Sequence, residues 1–419
     1  MIQELQLHGF KNFRDATLRL GNLTLLVGTN ASGKSNLRDA FRFLHGVSRG
    51  YTLAEILGTK YIEGGAIQWT GIRGGTREVA YYGTQTFSLE LKGTLPDENS
   101  YQYRIDVELD ANGRPPRVLR ESMYLHPYCS GCSELVFDSH PQNEPPNQDD
   151  PNSLTVLVGV SPGSDDNKQL RFKANRPVLS QITDYDERGL DEAELVVSSL
   201  GSMRFLDLTP EAMRVPSIPG QDILGDRGEN LSSVLQAICE SETSKHAILE
   251  WIRELTPQDL VNFEFVPDQT GKILVSLVES GGRKISAYSA SDGTLRFLAI
   301  IAAMLGPQSA RLYFIEELEN GIHPTRLHLL LQLIEQKVSE EIIQVVATSH
   351  SPQLLGFLNE KSRQNAALVY RLPDQPDARI KPIVQIPDAE RILKEQDLAR
   401  LHSSGWLEDA VAFLEGAEA

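Results

Sequence analysis

Residues 28–35 read Gly28-Thr29-Asn30-Ala31-Ser32-Gly33-Lys34-Ser35 and fit the phosphate-binding loop pattern G-x-x-x-x-G-K-[S/T]. The apolar run from Leu23 to Val27 precedes this loop and predicts a buried strand. From Ser35 to Leu44 the apolar residues recur at helical spacing. Strand, glycine-containing loop and helix form the context that the motif requires, so the sequence predicts a phosphate-binding loop.

Each part of this loop has a chemical role. Glycines let the backbone wrap so that its N–H groups face phosphates, and the following helix adds its positive N-terminal end. We expect Lys34 to contact the outer phosphates and Ser35 to offer its hydroxyl to Mg²⁺. The loop alone does not say which kind of nucleotide-binding protein this is.

Two adjacent carboxylates follow a second apolar strand. Arg311 to Ile315 is the strand, and Glu316 and Glu317 come at its C-terminal end, where ligands collect in α/β sheets. Adjacent residues at a strand end point in different directions, so one carboxylate can serve Mg²⁺ while the other orients an attacking water. By themselves the two could be a solvated pair on an edge loop, but the upstream phosphate loop favours a role in nucleotide chemistry.

Two further motifs lie near the predicted nucleotide site. Ser291 and Gly293 precede the apolar helix predicted from Leu295 to Leu305, and a helix N-terminus suits an anion. The same residues would also serve as an ordinary helix cap. His350 follows the strand predicted from Ile342 to Ala347, where it could bind a γ-phosphate or a catalytic water, although a lone histidine is more often structural.

The order of these motifs resembles the ATPase heads of the SMC, RecF and OLD-like branch of ABC ATPases. The match is closest to stand-alone bacterial "AAA family ATPase" proteins of the AAA_21 type, which lack coiled-coil arms and a TOPRIM nuclease domain. Their sequence motif I-D-E-P-E-N-G-L-H-P corresponds here to I-E-E-L-E-N-G-I-H-P, from Ile315 to Pro324. In addition, Gly9 to Phe13 resembles the F-K-x-F motif at their N-terminus. The resemblance implies an α/β fold: an ABC-type, P-loop NTPase head with a mixed sheet, flanking helices and an antiparallel β lobe, interrupted by a large insert.

The resemblance also implies an ATPase whose site is completed by a second copy of the chain. The residues expected to bind ATP are Gly28, Asn30, Ala31, Ser32, Gly33, Lys34 and Ser35. The residues expected to face the partner's ATP are Ser291, Asp292 and Gly293, and those of the dimer-contacting loop are Glu319 and Asn320.

For the chemistry, the resemblance makes Glu317 the catalytic base and His350 the switch histidine, with Ser35 and Glu316 as Mg²⁺ ligands. Glu316 replaces the aspartate of the family, which predicts slow turnover beside firm ATP binding. The glutamine of the Q-loop is either Gln68 or Gln85.

The sequence predicts four parts of the chain. They are an N-terminal part of the ATPase head (1–125), an acidic insert that is partly disordered and then helical (126–260), a C-terminal part of the head (261–372) and a helical tail (373–419). Within the insert, His140 to Asp166 is rich in Pro, Asn, Asp, Gln and Ser, which predicts a long loop or a disordered segment. The tail is predicted to be helical from Ile386 to Leu414.

The charge distribution leaves two functions open. The formal net charge of -17 argues against nucleic-acid binding by the whole surface, but a basic face around Lys11, Arg14 and Arg38 would suit DNA. The family resemblance implies an ATP-sandwiched, head-to-tail homodimer that acts as a regulator or sensor for a separately encoded effector, in anti-phage defence. The alternative is a RecF-like DNA repair or DNA-clamp ATPase.

The cysteines raise the question of a zinc site. Cys129 and Cys132 have the spacing of half such a site, with His126 and His140 nearby. A second pair is lacking, so free thiols in a surface insert are the favoured interpretation. Three cysteines cannot build a disulfide framework, which suits a reducing cytoplasm, and the longest apolar run, Phe297 to Leu305, is too short to span a membrane.

Overall fold

The computed structural model describes residues 1–109, 113–126, 133–139, 152–159, 167–183, 190–255, 260–308, 310–340, 343–372, 375–386 and 411. Its strands are β1 (Ile2–Phe10), β2 (Phe13–Arg19), β3 (Leu23–Val27), β4 (Thr59–Tyr61), β5 (Ile67–Thr70), β6 (Thr86–Thr94), β7 (Ser100–Glu108), β8 (Arg117–His126), β9 (Glu134–Asp138), β10 (Ser153–Gly159), β11 (Asn167–Lys173), β12 (Met203–Leu206), β13 (Leu260–Pro267), β14 (Ile273–Glu279), β15 (Lys284–Ser286), β16 (Leu312–Ile315), β17 (Gln344–Ser349), β18 (Ala367–Arg371) and β19 (Ala378–Pro382).

The helices are α1 (Lys34–Ser48), α2 (Leu53–Leu57), α3 (Gly75–Glu78), α4 (Val178–Ile182), α5 (Asp191–Gly201), α6 (Pro210–Met213), α7 (Leu231–Cys239), α8 (Glu242–Leu255), α9 (Asp292–Leu305), α10 (Pro324–Glu340) and α11 (Glu360–Gln364). Two 3₁₀ turns lie at Pro352–Gly356 and Ile383–Gln385. Within the described residues, no helix combines the length and apolar character needed to cross a membrane.

A largely parallel sheet positions the predicted site. Its strand order is β12-β16-β17-β3-β18-β19, parallel throughout except for β19. Val27 pairs with Ser349 and Ile315 pairs with Ala347, so β3, β16 and β17 end side by side. The phosphate loop, the glutamate pair and His350 therefore leave the sheet at one common edge, where α/β sheets bind ligands.

Both faces of this sheet are buried, which explains the unbroken apolar runs of its strands. Successive side chains of a strand point to opposite faces, and in β16 Tyr313 and Ile315 join one core while Phe314 joins the other. Helices α7, α8, α9 and α10 supply the first core. In the second core, α1 links both sheets, because Phe41 packs on Phe314 and Phe43 packs edge-on against Phe87 of β6.

An antiparallel sheet forms the predicted β lobe, but it extends beyond the predicted boundary at residue 125. Its order is β11-β10-β9-β8-β7-β6-β1-β2, so three strands of the predicted insert belong to it, and β12 belongs to the parallel sheet. The expectation of a loop from His140 to Asp166 is wrong for Ser153–Gly159, which forms β10 with Val156 and Val158 buried. The polar residues on either side of this strand make it hard to recognise in the sequence, and its pairing with neighbouring strands stabilises it.

The expectation of a helical tail from residue 373 is also wrong at its start. Ala378–Pro382 forms strand β19, which pairs antiparallel with β18 at the edge of the parallel sheet. Of the helix predicted from Ile386 to Leu414, all but Ile386 and Val411 lies outside the described residues.

Candidate active site

The phosphate loop is a tight turn that requires glycine at specific positions. A Cβ atom on Gly28 would overlap the carbonyl oxygen of Val369 in the neighbouring strand β18. Gly33 has a φ of 122° and Ala31 has a φ of 62°, both left-handed values that bend the chain back toward α1. Thr29, Asn30 and Ala31 are exposed at the tip, so their backbone N–H groups can be reached by a ligand.

The N-terminus of α1 is suited to an anion. Gly33 is the N-cap, no side chain accepts a hydrogen bond from the first turn, and no acidic residue lies there. The first N–H groups of a helix have no partner within the helix, and the helix dipole adds positive potential at this end. The α1 terminus therefore offers the donors and the potential that a phosphate group requires.

Lys34 lies across its own loop. Its Nζ donates to the carbonyl oxygens of Gly28 at 2.6 Å and Thr29 at 2.9 Å, and it lies 3.2 Å from Nδ1 of His350. An ammonium group only donates hydrogen bonds, so Nδ1 accepts and the ring proton is assigned to Nε2. The structure thus brings the loop lysine and the predicted switch histidine into contact.

Glu317 is the centre of a second set of contacts. Its Oε2 accepts a hydrogen bond from Nδ2 of Asn320 at 3.0 Å, and its Oε1 lies 3.5 Å from Nε2 of His350. The backbone N–H of His350 donates to Oε1 of Glu319 at 2.7 Å. The predicted base, switch histidine and dimer-contacting residues therefore form one continuous network with Lys34.

The backbone at Glu317 is held in an uncommon conformation. Glu317 has a φ of 50°, which is unfavourable for a residue with a Cβ atom. Its N–H donates to Oγ1 of the buried Thr348 at 3.0 Å, and the N–H of Leu318 donates to the Thr348 carbonyl oxygen at 3.1 Å. Strain of this kind persists only where the surroundings enforce it, and here Thr348 does so and directs the Glu317 carboxylate toward His350.

Glu316 points toward α1 instead. Its Oε2 lies 3.1 Å from Nη1 of Arg38, and the two side chains are 16% and 15% exposed. Ser35 lies three residues before Arg38 on α1, a spacing that puts the two side chains on the same side of the helix. A hydroxyl and a carboxylate are hard oxygen ligands, so Ser35 and Glu316 fit Mg²⁺ as part of a shell completed by water and phosphate oxygens. The described residues contain no group of three or more His, Cys, Asp or Glu side chains that could hold a metal by themselves.

The Ser291–Gly293 turn lies at the N-terminus of α9. Oγ of Ser291 accepts a hydrogen bond from the N–H of Thr294 at 3.2 Å, so the serine is a genuine helix cap. Asp292 pairs with Nη2 of Arg214 at 2.6 Å. A Cβ atom on Gly293 would overlap the carbonyl oxygen of Gly321, so this turn packs directly on the loop that follows Glu317.

Residues 23–356 match the protein family described as "AAA domain, putative AbiEii toxin, Type IV TA system". The chain belongs to this family. Together with the strand order and the motifs at the sheet edge, this membership confirms the predicted ABC-type ATPase of the SMC- and RecF-like branch. The longest helix in the described part of the chain, α10, has 17 residues.

The chain is also similar to other proteins over most of its length. An "ATP/GTP phosphatase" of Helicobacter pylori is 21% identical over 373 residues, which cover 87% of this chain and 89% of that protein. The SMC head bound to the C-terminal winged-helix domain of ScpA is 13% identical, with a TM-score of 0.48 and coverage of 91% of this chain and 97% of that one. The SMC head domain from Thermotoga maritima is 14% identical, with a TM-score of 0.39 and coverage of 91% and 98%.

Sequence reasoning missed three residues that contact the predicted site residues. Arg38, Thr348 and Arg214 contact Glu316, Glu317 and Asp292, respectively. Arg38 could have been found because it lies one helical turn after Lys34. Thr348 lies beside the Ser349-His350 motif, but nothing in the sequence links Arg214 to a motif 78 residues away.

The basic face expected around Lys11, Arg14 and Arg38 is wrong for two of its three residues. The Lys11 side chain is 7% exposed, lies 3.7 Å from Asp39 and donates to the Arg73 carbonyl oxygen. Burial lowers the pKa of Lys11. Arg38 is paired with Glu316, so only Arg14 is presented to solvent.

The contacts do not test two further expectations, the zinc site and the Q-loop glutamine. The zinc candidates Cys129 and Cys132 lie outside the described residues, as does His140. Gln68 is on β5 and Gln85 precedes β6, and both are exposed.

Proposed function

We propose that two copies of this ATPase associate head to tail around two ATP molecules, and that this ATP-dependent association regulates a separately encoded effector in anti-phage defence. In each site, one copy supplies Gly28, residues 30–35, Glu316, Glu317 and His350. The other copy supplies Ser291, Asp292 and Gly293, and Glu319 and Asn320 lie in the dimer contact.

The observation that carries this proposal is the packing of Gly293 against Gly321. Gly321 belongs to the same short loop as Asn320, whose side chain donates to Glu317. Anything that displaces the Ser291–Gly293 turn must therefore act on the loop that holds the proposed base. A γ-phosphate of the partner's ATP at the α9 N-terminus is suited to produce that effect.

The chemistry of each site follows from the network. Mg²⁺, when bound by Ser35 and Glu316, neutralises charge on the phosphates. Glu317 orients the attacking water and accepts its proton, and Nε2 of His350 is placed to donate to the γ-phosphate or to Glu317. Lys34 exchanges its carbonyl contacts for phosphate oxygens, which is a favourable exchange because a phosphate group carries a full negative charge and a carbonyl group is neutral.

ATP favours the associated state only because it binds that state more tightly than the separated one. Hydrolysis then removes the γ-phosphate contacts and releases the two copies. For the effector and for defence, the support is the family description, which names the AbiEii toxin and a type IV TA system. The DNA-clamp alternative loses two of the three basic residues on which it was based, because Lys11 and Arg38 are held in ion pairs.

The mechanism is tested by measuring mass in solution with and without ATP. Glu317→Gln should bind ATP and remain a dimer, Lys34→Ala should lose both properties, and Ser291→Arg should bind ATP but stay monomeric. Glu264→Gln, which removes a carboxylate from the surface hairpin pair with Lys284, is the control and should behave as wild type. Hydrolysis by Glu317→Gln at the wild-type rate would show that Glu317 is not the base.

The biological role needs a separate test. Phage plaque counts should fall when the gene and its neighbours are expressed, and Lys34→Ala should abolish the protection. The product of a neighbouring gene should bind the ATP-trapped Glu317→Gln dimer but not Lys34→Ala. Equal protection by wild type and Lys34→Ala would refute the defence role and leave the dimer proposal standing.

A further inference from the structure

Arg38 is held against the carboxylate that is assigned to Mg²⁺. Nη1 lies 3.1 Å from Oε2 of Glu316, and both side chains are about five-sixths buried, with 15% and 16% exposed. Among the described residues, Nε of Arg38 is buried without a hydrogen-bond partner. Glu316 is therefore the main charge partner of a guanidinium group that is poorly satisfied elsewhere.

We propose that Arg38 competes with the divalent cation for Glu316 and so sets the cation concentration that this ATPase requires. The inference rests on the proposed role of Glu316 as a Mg²⁺ ligand. It adds a positioning residue on α1 that the phosphate-loop motif does not specify.

Competition follows from the cost of separating the pair. A cation that takes the carboxylate leaves Arg38 mostly buried with neither its Nη1 nor its Nε satisfied, and an unpaired buried charge is strongly unfavourable. A guanidinium group close to the metal position also repels a divalent cation directly. Both effects weaken binding of the cation.

The length of the Glu316 side chain makes the contact possible. Aspartate at this position would draw the carboxylate back toward β16 by about 1.5 Å, the length of one carbon–carbon bond. The ion pair at 3.1 Å would then open well beyond hydrogen-bond distance. Glutamate at 316 and arginine at 38 thus act as a matched pair, and changing either one should release the cation site.

A second ion pair on α1 supplies the control. Nη1 of Arg42, one helical turn after Arg38, lies 3.2 Å from Oδ2 of Asp226, and the Arg42 side chain is 13% exposed. Arg42→Gln removes the same charge from the same helix but leaves the Glu316 contact intact. It therefore separates direct competition from a general change in electrostatic potential.

The test is a titration with Mn²⁺ of protein saturated with ADP, in which free Mn²⁺ is measured by electron paramagnetic resonance. Arg38→Gln should lower the Kd for Mn²⁺ by roughly tenfold, which corresponds to about 1.4 kcal/mol. Arg42→Gln should leave the Kd within about twofold of wild type. Glu316→Asp should also lower the Kd, and Arg38→Gln should have no further effect in that background, because the two changes remove one interaction.

Several outcomes would overturn the inference. Weaker Mn²⁺ binding by Arg38→Gln would mean that Arg38 orders Glu316 for the cation, and an equal gain in Arg42→Gln would mean that charge alone is responsible. Glu316→Asp tests the same competition if Arg38→Gln does not fold, and unchanged binding there would refute it. A different result would show that Glu316 is not a Mg²⁺ ligand at all: Glu316→Gln would then bind Mn²⁺ as tightly as wild type.

Discussion

The wild-type protein should become less stable as the pH rises toward 7, and replacing Glu121 by glutamine should abolish this pH dependence. Glu121 lies on β8 and is completely buried. Its carboxylate accepts hydrogen bonds from the N–H groups of Val178 at 2.6 Å and Leu179 at 2.8 Å and from the Tyr103 hydroxyl at 3.0 Å. It thereby fixes α4, which contacts α1, to the antiparallel sheet.

The magnitude follows from the pKa of this carboxyl group. Burial raises the pKa of Glu121 from 4.5 to about 7, although its three hydrogen bonds act in the opposite direction. The folded state therefore binds this proton more tightly than the unfolded state. The resulting stabilisation is fully present below pH 4.5 and is lost as the pH rises through about 7. The whole difference amounts to roughly 3 kcal/mol in the free energy of unfolding.

The assay is urea denaturation of wild type and Glu121→Gln at a series of pH values from about 4.5 to about 8. The free energy of unfolding of wild type minus that of the variant should fall by roughly 3 kcal/mol across the series. Glu264→Gln, at an exposed position, should run parallel to wild type. Parallel curves for Glu121→Gln would show that Glu121 titrates alike in the folded and unfolded states, and would refute the reasoning.

The other predictions concern the coupling between the Ser291–Gly293 turn and the base. Gly293→Ala should retain ATP binding but lose ATP-dependent dimerisation, because its Cβ would collide with the backbone of Gly321. The control is Gly281→Ala, whose Cβ would face open space and which should match wild type in the same measurement of mass in solution. Thr348→Val should lower kcat by roughly tenfold with little change in KM, since it leaves the N–H of Glu317 unpaired while keeping the side-chain shape. A change in KM alone would contradict this positioning role of Thr348.

The features that could be predicted from sequence are those that depend only on residues adjacent in the chain. The phosphate loop and its flanking strand and helix were found because backbone geometry there is local, and β3 and α1 confirm them. The helix that follows Ser291 was recognised from its apolar residues, and α9 extends it to Asp292. Strands buried on both faces, such as β16, give apolar runs that need no knowledge of their neighbours.

The features that could not be predicted depend on partners far away in the chain. Strands β10 and β19 have few buried residues of their own, and hydrogen bonds to adjacent strands define them. Ala378–Pro382 is short and includes charged residues, and the apolar residues of Ser153–Gly159 lie between polar stretches, so neither segment is recognised as a strand until its neighbour in the sheet is known. Strands β9, β10 and β11 fall within the predicted insert but pair with the antiparallel sheet, which only the tertiary structure shows.

The sequence by itself determined the family, the phosphate loop and the set of groups available for chemistry, because these depend on residue type and short spacing. Only the tertiary structure decided which groups meet. It brings Lys34 to His350 across 316 residues, ties Glu317 to Thr348, and binds Arg38 to Glu316. The physical reason is that the effect of a charge depends on its neighbours in space. Lys11 and Arg38 are basic in the sequence, but their ion pairs leave only Arg14 of the expected basic face presented to solvent.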